Sequence, residues 1–101
     1  MGTTNFQNSI NTIRLAIREG YPINVVIKKL STGSYKYIAK AVNTPGNTVY
    51  YEVYKYENSG RLIGKTLVDA SYYGINYDNR YFSIPDSISK VILEFHRALY
   101  R

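Results

Sequence analysis

The residues able to do chemistry are few, and their spacing limits what that chemistry can be. His96 is the only histidine. A lone imidazole serves as a general base only beside an orienting partner and a nucleophile, and no partner is identifiable by spacing. Twelve tyrosines are present, but a tyrosine nucleophile of the relaxase type works beside paired metal-binding histidines, which the chain lacks. Restriction-type nucleases place Glu-x-Lys on one face of a strand. Here the nearest match is Glu52 and Lys55, an odd spacing that sends the two side chains to opposite faces. The acids Glu57, Asp69, Asp78 and Asp86 are scattered and read as solvated turn residues. Neither a P-loop nor G-x-G-x-x-G occurs. Cysteine is absent, which excludes disulfides, thiol catalysis and cysteine-ligated zinc. The expectation is a protein that is not an enzyme, with no catalytic or metal residues and no cofactor. A small metal-dependent nuclease is the weakest reading.

Two properties remain as pointers. Thirteen Lys and Arg against seven Asp and Glu give a net charge of +6, and tyrosine is abundant while tryptophan is missing. A basic chain attracts polyanions, although this charge is also ordinary for solubility in a small domain. The 101 residues make one domain, residues 1–101, long enough to close a single core. No apolar run approaches the roughly 18 residues of a transmembrane helix, and no apolar segment follows a basic start as in a secretory signal. The Met1-Gly2 start has Phe6 where myristoylation needs Ser or Thr. An intracellular protein with no membrane association is expected.

The elements that must position these residues follow from periodicity. Phe6, Ile10, Ile13 and Ile17 form a helical stripe over about residues 4–19. Thr4 and Gln7 fit a capping box there, and Gly20 and Pro22 fit its exit. The segments INVVIKKL and SYKYIAKAV flank STGS and read as a hairpin. Pro45-Gly46 suits a type II turn. TVYYEVYKY is a third strand, rich in residues that favour a pleated surface. RLIGKTLV is a fourth, with Gly64 marking a bulge or a close contact. Residues 69–80 show no period and read as a surface loop, and YFSI reads as a short fifth strand. Ile88, Val91, Ile92, Phe95 and Leu99 make a second helical stripe. Its start is expected at a Ser83–Asp86 capping box or at Asp86 as N-cap. The fold class is α+β: an antiparallel meander sheet of four to five strands, with an N-terminal and a C-terminal amphipathic helix.

Alternation along the strands then sorts the side chains. Tyr35, Tyr37, Ala39 and Ala41 share one face of the second strand, and Lys36, Ile38, Lys40 and Val42 the other. In the third strand Val49, Tyr51 and Val53 oppose Tyr50, Glu52, Tyr54 and Tyr56. If the valines face the core, the basic and aromatic sets meet in one outward patch. Such a patch can stack unpaired bases on its rings and neutralise phosphates with its amines. The plain alternative is that Tyr favours strands and that one helix covers each face, leaving the rings half-buried. The expected contacts are Lys36, Lys40, Tyr50, Tyr54 and Tyr56, with Lys55 and Arg61 beside them. Tyr72, Tyr73, Tyr77 and Arg80 in the 69–80 loop form a second surface.

The second half, from TVYYEVYKY through YFSIPDSISKVILEF, resembles the PC4-type single-stranded-DNA-binding fold, a four-stranded antiparallel sheet followed by an amphipathic helix. The run Ile84, Pro85, Asp86, then Ile88 and Leu93 carries most of the likeness. The resemblance implies a homodimer and single-stranded DNA in preference to duplex, with the sheet Lys and Tyr as contacts. The abundance of Tyr and Ile, with no Cys and one Met, is also similar in composition to small proteins of crenarchaeal viruses, which implies a host cytoplasm. The rival expectation is a protein-interaction module, such as a viral factor engaging a host protein without binding nucleic acid.

Overall fold

The computed structural model describes residues 2–44, 46, 48–71 and 73–101, with side chains from residue 6 onward in the first helix. Among the described residues the order is α1 (Gly2–Glu19), β1 (Asn24–Ser31), β2 (Tyr35–Asn43), β3 (Val49–Glu57), β4 (Leu62–Ser71), β5 (Gly74–Tyr77) and α2 (Asp86–Leu99). The strands form one antiparallel sheet in the order β1-β2-β3-β4-β5. Each strand pairs with its successor because every connection is too short to cross over.

The apolar stripe of α1 puts Ile10 and Ile13 in the core, with Phe6 and Ile17 packed at its margin. Gly20 ends the helix at φ +78°, and the Tyr21 N–H donates to the Ala16 carbonyl at 2.8 Å. This closure satisfies a carbonyl left over at the helix end. In α2 the stripe buries Ile88, Ile92, Phe95 and Leu99. The two helices touch each other, α2 lies across β1, β4 and β5, and α1 lies against β1. The sheet residues of the core are Tyr37, Ala39 and Ala41 of β2, Val49, Tyr51 and Val53 of β3, and Val68 of β4. They all share one parity of their strands, so both helices pack on one face.

Several expectations need correction. The 69–80 segment is not a loop. Its first residues extend β4, and residues 74–77 return as β5, pairing Val68 with Tyr77 and Ala70 with Ile75. YFSI is not a strand; its Phe82 and Ile84 are buried in the linker before α2. The N-cap of α2 is Pro85, with no side-chain cap bond, and Asp86 sits inside the first turn. There its negative charge suits the helix dipole without serving as a cap. At the other end α1 begins at Gly2, ahead of the expected start at Thr4, and Gln7 donates its amide to Asn11 at 3.0 Å. Pro45 of the expected type II turn and the side chain of Thr4 lie outside the described residues.

Two irregularities decide which side chains face where. In β1 the register shifts between Val26 and Lys28, so Ile27 is an extra residue. In β4 the shift falls opposite Lys55 and Tyr56, making Ile63 extra beside Gly64. A bulge of this kind reverses the parity of the residues beyond it. Gly64 also meets the expectation of a close contact, since a β-carbon there would sit 3.6 Å from the Phe82 ring.

Candidate nucleic-acid interface

With both helices on one face, the outer face of the sheet carries no helix. Cross-strand register lays out its central part. Lys36 is opposite Tyr56, Ile38 opposite Tyr54, Lys40 opposite Glu52 and Val42 opposite Tyr50. On the next strand Lys65 is opposite Tyr54 and Leu67 opposite Glu52. The expected contacts Lys36, Lys40, Tyr50, Tyr54 and Tyr56 therefore do come together on this face.

Tyr54 is the centre of the patch. The Lys40 amine lies 4.9 Å and the Lys65 amine 5.9 Å from its ring centroid, within reach of the ring quadrupole. The Tyr54 hydroxyl donates to Glu52 Oε1 at 3.0 Å, and Lys65 donates to Glu52 Oε2 at 3.2 Å. Burial, and then the bond to Glu52, raises the Tyr54 pKa above its usual value. The Glu52 bond raises that of Lys65. Both stay protonated at neutral pH. The Tyr56 ring lies nearly parallel to that of Tyr54, with centroids 6.4 Å apart and planes 20° from each other. Tyr50, Tyr54 and Tyr56 are half-buried rather than sealed.

Sequence reasoning missed Lys29 and Lys65. Lys29 pairs with Ile38, and with Lys36, Ser31, Ile38 and Tyr56 it lines a hollow of about 300 Å³ at the end of the sheet. Simple alternation groups Lys29 with Val25 and Ile27; the bulge at Ile27 moves it to the outer face. Lys65 was legible, since it shares parity with Leu67 along β4. The outer face also carries exposed apolar side chains: Val26, Leu62 and Leu67.

Other expected contacts sit elsewhere. Lys55 shares parity with Val53 and pairs with Gly64 and Tyr37. Its amine lies 4.0 Å from the Tyr35 ring centroid, with Tyr37 and Phe82 at 5.8 and 5.6 Å. It therefore belongs to the helix-bearing side and not beside Tyr54. Glu52 and Lys55 lie on opposite faces, as their spacing requires. Arg61 closes the β3–β4 turn, its Nε donating to Glu57 at 3.1 Å, and this pairing holds the Glu57 carboxyl below its usual range. Tyr77 is on the inner face, where its hydroxyl accepts the Ile84 N–H at 3.1 Å and anchors the linker. Arg80 grips Asp78 through two nitrogens, lowering the Asp78 carboxyl to about 2. Tyr73 is strongly exposed at the β4–β5 turn, and Tyr72 lies outside the described residues. The second surface is thus divided between a turn, the inner face and an ion pair.

His96 turns toward the core. Its Nδ1 is 2.9 Å from the Tyr51 hydroxyl, and the Tyr100 ring lies 4.8 Å away. Burial lowers the His96 pKa and raises that of Tyr51. Among the described residues no group of three His, Cys, Asp or Glu is placed to hold a metal ion, and no helix is long and apolar enough to cross a membrane.

No family model, no curated protein and no solved structure matches the chain.

Proposed function

We propose that the chain binds single-stranded nucleic acid, DNA in preference to duplex, on the outer face of its sheet. The observation that supports this most is the packing of both helices on the other face, which leaves Tyr54 and Tyr56 side by side with Lys36, Lys40 and Lys65 around them. Open antiparallel sheets with aromatic rings bind unpaired bases by stacking, and flanking amines neutralise the backbone. A duplex hides its base faces, so only the charge contribution remains for it. Glu52 lies amid the patch, but its two bonds engage its charge and orient Tyr54 and Lys65. The test is fluorescence anisotropy with labelled single-stranded and duplex DNA at low and moderate salt. Tighter single-strand binding that weakens with salt without vanishing supports the reading. No binding at low salt, or equal binding of both forms, rejects it.

A second reading draws on Leu62, Ile63 and Leu67, an exposed apolar strip on β4 beside the rings. A protein partner, or a second copy forming a homodimer, would cover that strip. Sedimentation of the protein alone, and the absence of salt-dependent DNA binding, separate this reading from the first.

A further inference from the structure

β1 and β5 are the two edges of the sheet. β5 has four residues, whereas β1 runs for eight, and among the described residues no strand pairs with its other side. Long open edges invite pairing, and bulges and lysines normally discourage it. β1 carries both, with Ile27 as its bulge and Lys28 and Lys29 after it. Because the bulge reverses parity at mid-strand, the faces follow an unusual order. Asn24 and Val26 are outer, Val25, Ile27, Lys28 and Leu30 are inner except where Val26 intervenes, and Lys29 and Ser31 are outer again. The order is the same read from either end. Burial repeats it, with exposed and half-buried residues arranged symmetrically about the Ile27–Lys28 bond.

We infer that β1 pairs antiparallel with β1 of a second copy of this chain, about a two-fold axis between Ile27 and Lys28. A two-fold contact requires that whenever one residue faces another, the second faces the first across the axis. In this register Asn24 faces the partner's Ser31, Val25 the partner's Leu30, Val26 the partner's Lys29 and Ile27 the partner's Lys28. Each pair joins residues of the same face. A regular strand cannot follow β1 in this way, since its alternation falls out of phase beyond Ile27. A second copy supplies a bulge at the facing position. Charge agrees with this occupant: Lys28 and Lys29 each face an apolar side chain, so no like charges stand directly opposite. The exposed Val26 is covered by the same pairing. Under β1 lies a hollow of about 360 Å³, lined by Phe6, Val91 and Phe95 of the helices together with Ile27 and Lys28. The partner's Lys28 can lay its apolar stem over that hollow and keep its amine in water. The two five-stranded sheets then become one, with all helices beneath it. Across the seam the outer face reads Lys40, Val26, the partner's Lys29, the partner's Ile38 and the partner's Tyr54. The two Tyr54 rings lie five strand spacings apart, roughly 24 Å. A nucleic-acid strand crossing both platforms rests on the proposed function; the seam itself does not.

Because the chain has no cysteine, disulfides can read the register. Val26→Cys and Lys29→Cys are prepared as separate full-length proteins, one of them tagged, and are oxidised alone and as a mixture. The seam predicts the mixed disulfide, because these positions face each other at the spacing of paired strands, about 5 Å. Neither variant should form its own disulfide, since two copies of one position lie three residues out of step. That is roughly 10 Å along the strand, beyond the about 7 Å that a disulfide spans. Sedimentation of the wild type should show a monomer–dimer equilibrium. A wild type that stays monomeric up to its solubility limit overturns the seam, as do self-disulfides as abundant as the mixed one. A dimer in sedimentation without the mixed disulfide places the contact elsewhere, such as on the β4 strip, and also overturns it. The oxidised mixed dimer then tests the joined face. An oligothymidine spanning both platforms should bind it roughly 100-fold tighter than one reaching a single platform, the low end of an avidity gain. Equal affinities overturn the joined face alone. If neither oligonucleotide binds the dimer, the platform falls and the seam stands.

Discussion

The Tyr51 hydroxyl and the His96 Nδ1 meet at 2.9 Å beneath the centre of the sheet, and they tie α2 to β3. Burial lowers the His96 pKa from 6.5, so the unfolded chain binds the proton more readily than the folded one. Stability from this pair is present above pH 6.5 and is lost as pH falls through the lower folded value. The midpoint of thermal unfolding should decline as pH drops below 6.5, before the range in which Glu57 and Asp78 titrate. His96→Asn, which keeps a hydrogen-bonding side chain but no titrating ring, should flatten this part of the curve. An unchanged slope in the variant would assign the effect to other groups.

Truncating the platform rings should separate the two forms of nucleic acid. Tyr54→Ala and Tyr56→Ala are each expected to weaken single-strand binding by about 1–3 kcal/mol, with a smaller effect on duplex. Equal loss on both, measured by anisotropy, would mean that the rings support the sheet and not the bases.

The lysines give a charge test with an internal control. Replacing Lys36 or Lys40 with Gln should reduce the slope of log affinity against log salt, by about 0.7 for each phosphate on a single strand that is no longer neutralised. Lys55→Gln should leave the slope alone, because its amine lies among Tyr35, Tyr37 and Phe82 on the other side. A slope that responds to Lys55 as much as to Lys40 would move the binding surface off the outer face.

Arg14 of α1 supports the C-terminal end of α2, donating to the Ala98 carbonyl at 2.7 Å and to that of Leu99 at 3.4 Å. These carbonyls have no partner within their own helix. Arg14→Ala should cost about 1 kcal/mol of stability, read by denaturant unfolding, with single-strand affinity unchanged. Ile92→Ala, which empties a fully buried site, should cost roughly 2–5 kcal/mol.

Much of this arrangement was legible in the sequence, and the exceptions have physical causes. The two helical stripes and the four longer strands follow from side-chain period, because each buries one face of its own element. β5 escaped because its four residues alternate weakly and follow directly on the turn at Tyr73; only pairing to β4 makes them a strand. The outward position of Lys29 depends on the bulge at Ile27, a tertiary event that alternation does not encode. Lys55 was legible in the other direction, since it shares parity with Val53; placing it beside Tyr54 set proximity in sequence above parity. Which face the helices take is set by packing between distant segments, here Ile10 and Ile13 against the stripe of α2. That choice leaves the platform open, and no local pattern contains it.

An amide NMR titration of the protein with a short unlabelled oligothymidine locates the binding surface residue by residue. Binding on the outer face concentrates the shifts at Lys36, Ile38, Lys40, Tyr54, Tyr56 and Lys65 and leaves Ile10, Ile13 and Ile88 unmoved. Shifts concentrated on α1 and α2, or none at saturating oligonucleotide, would contradict it.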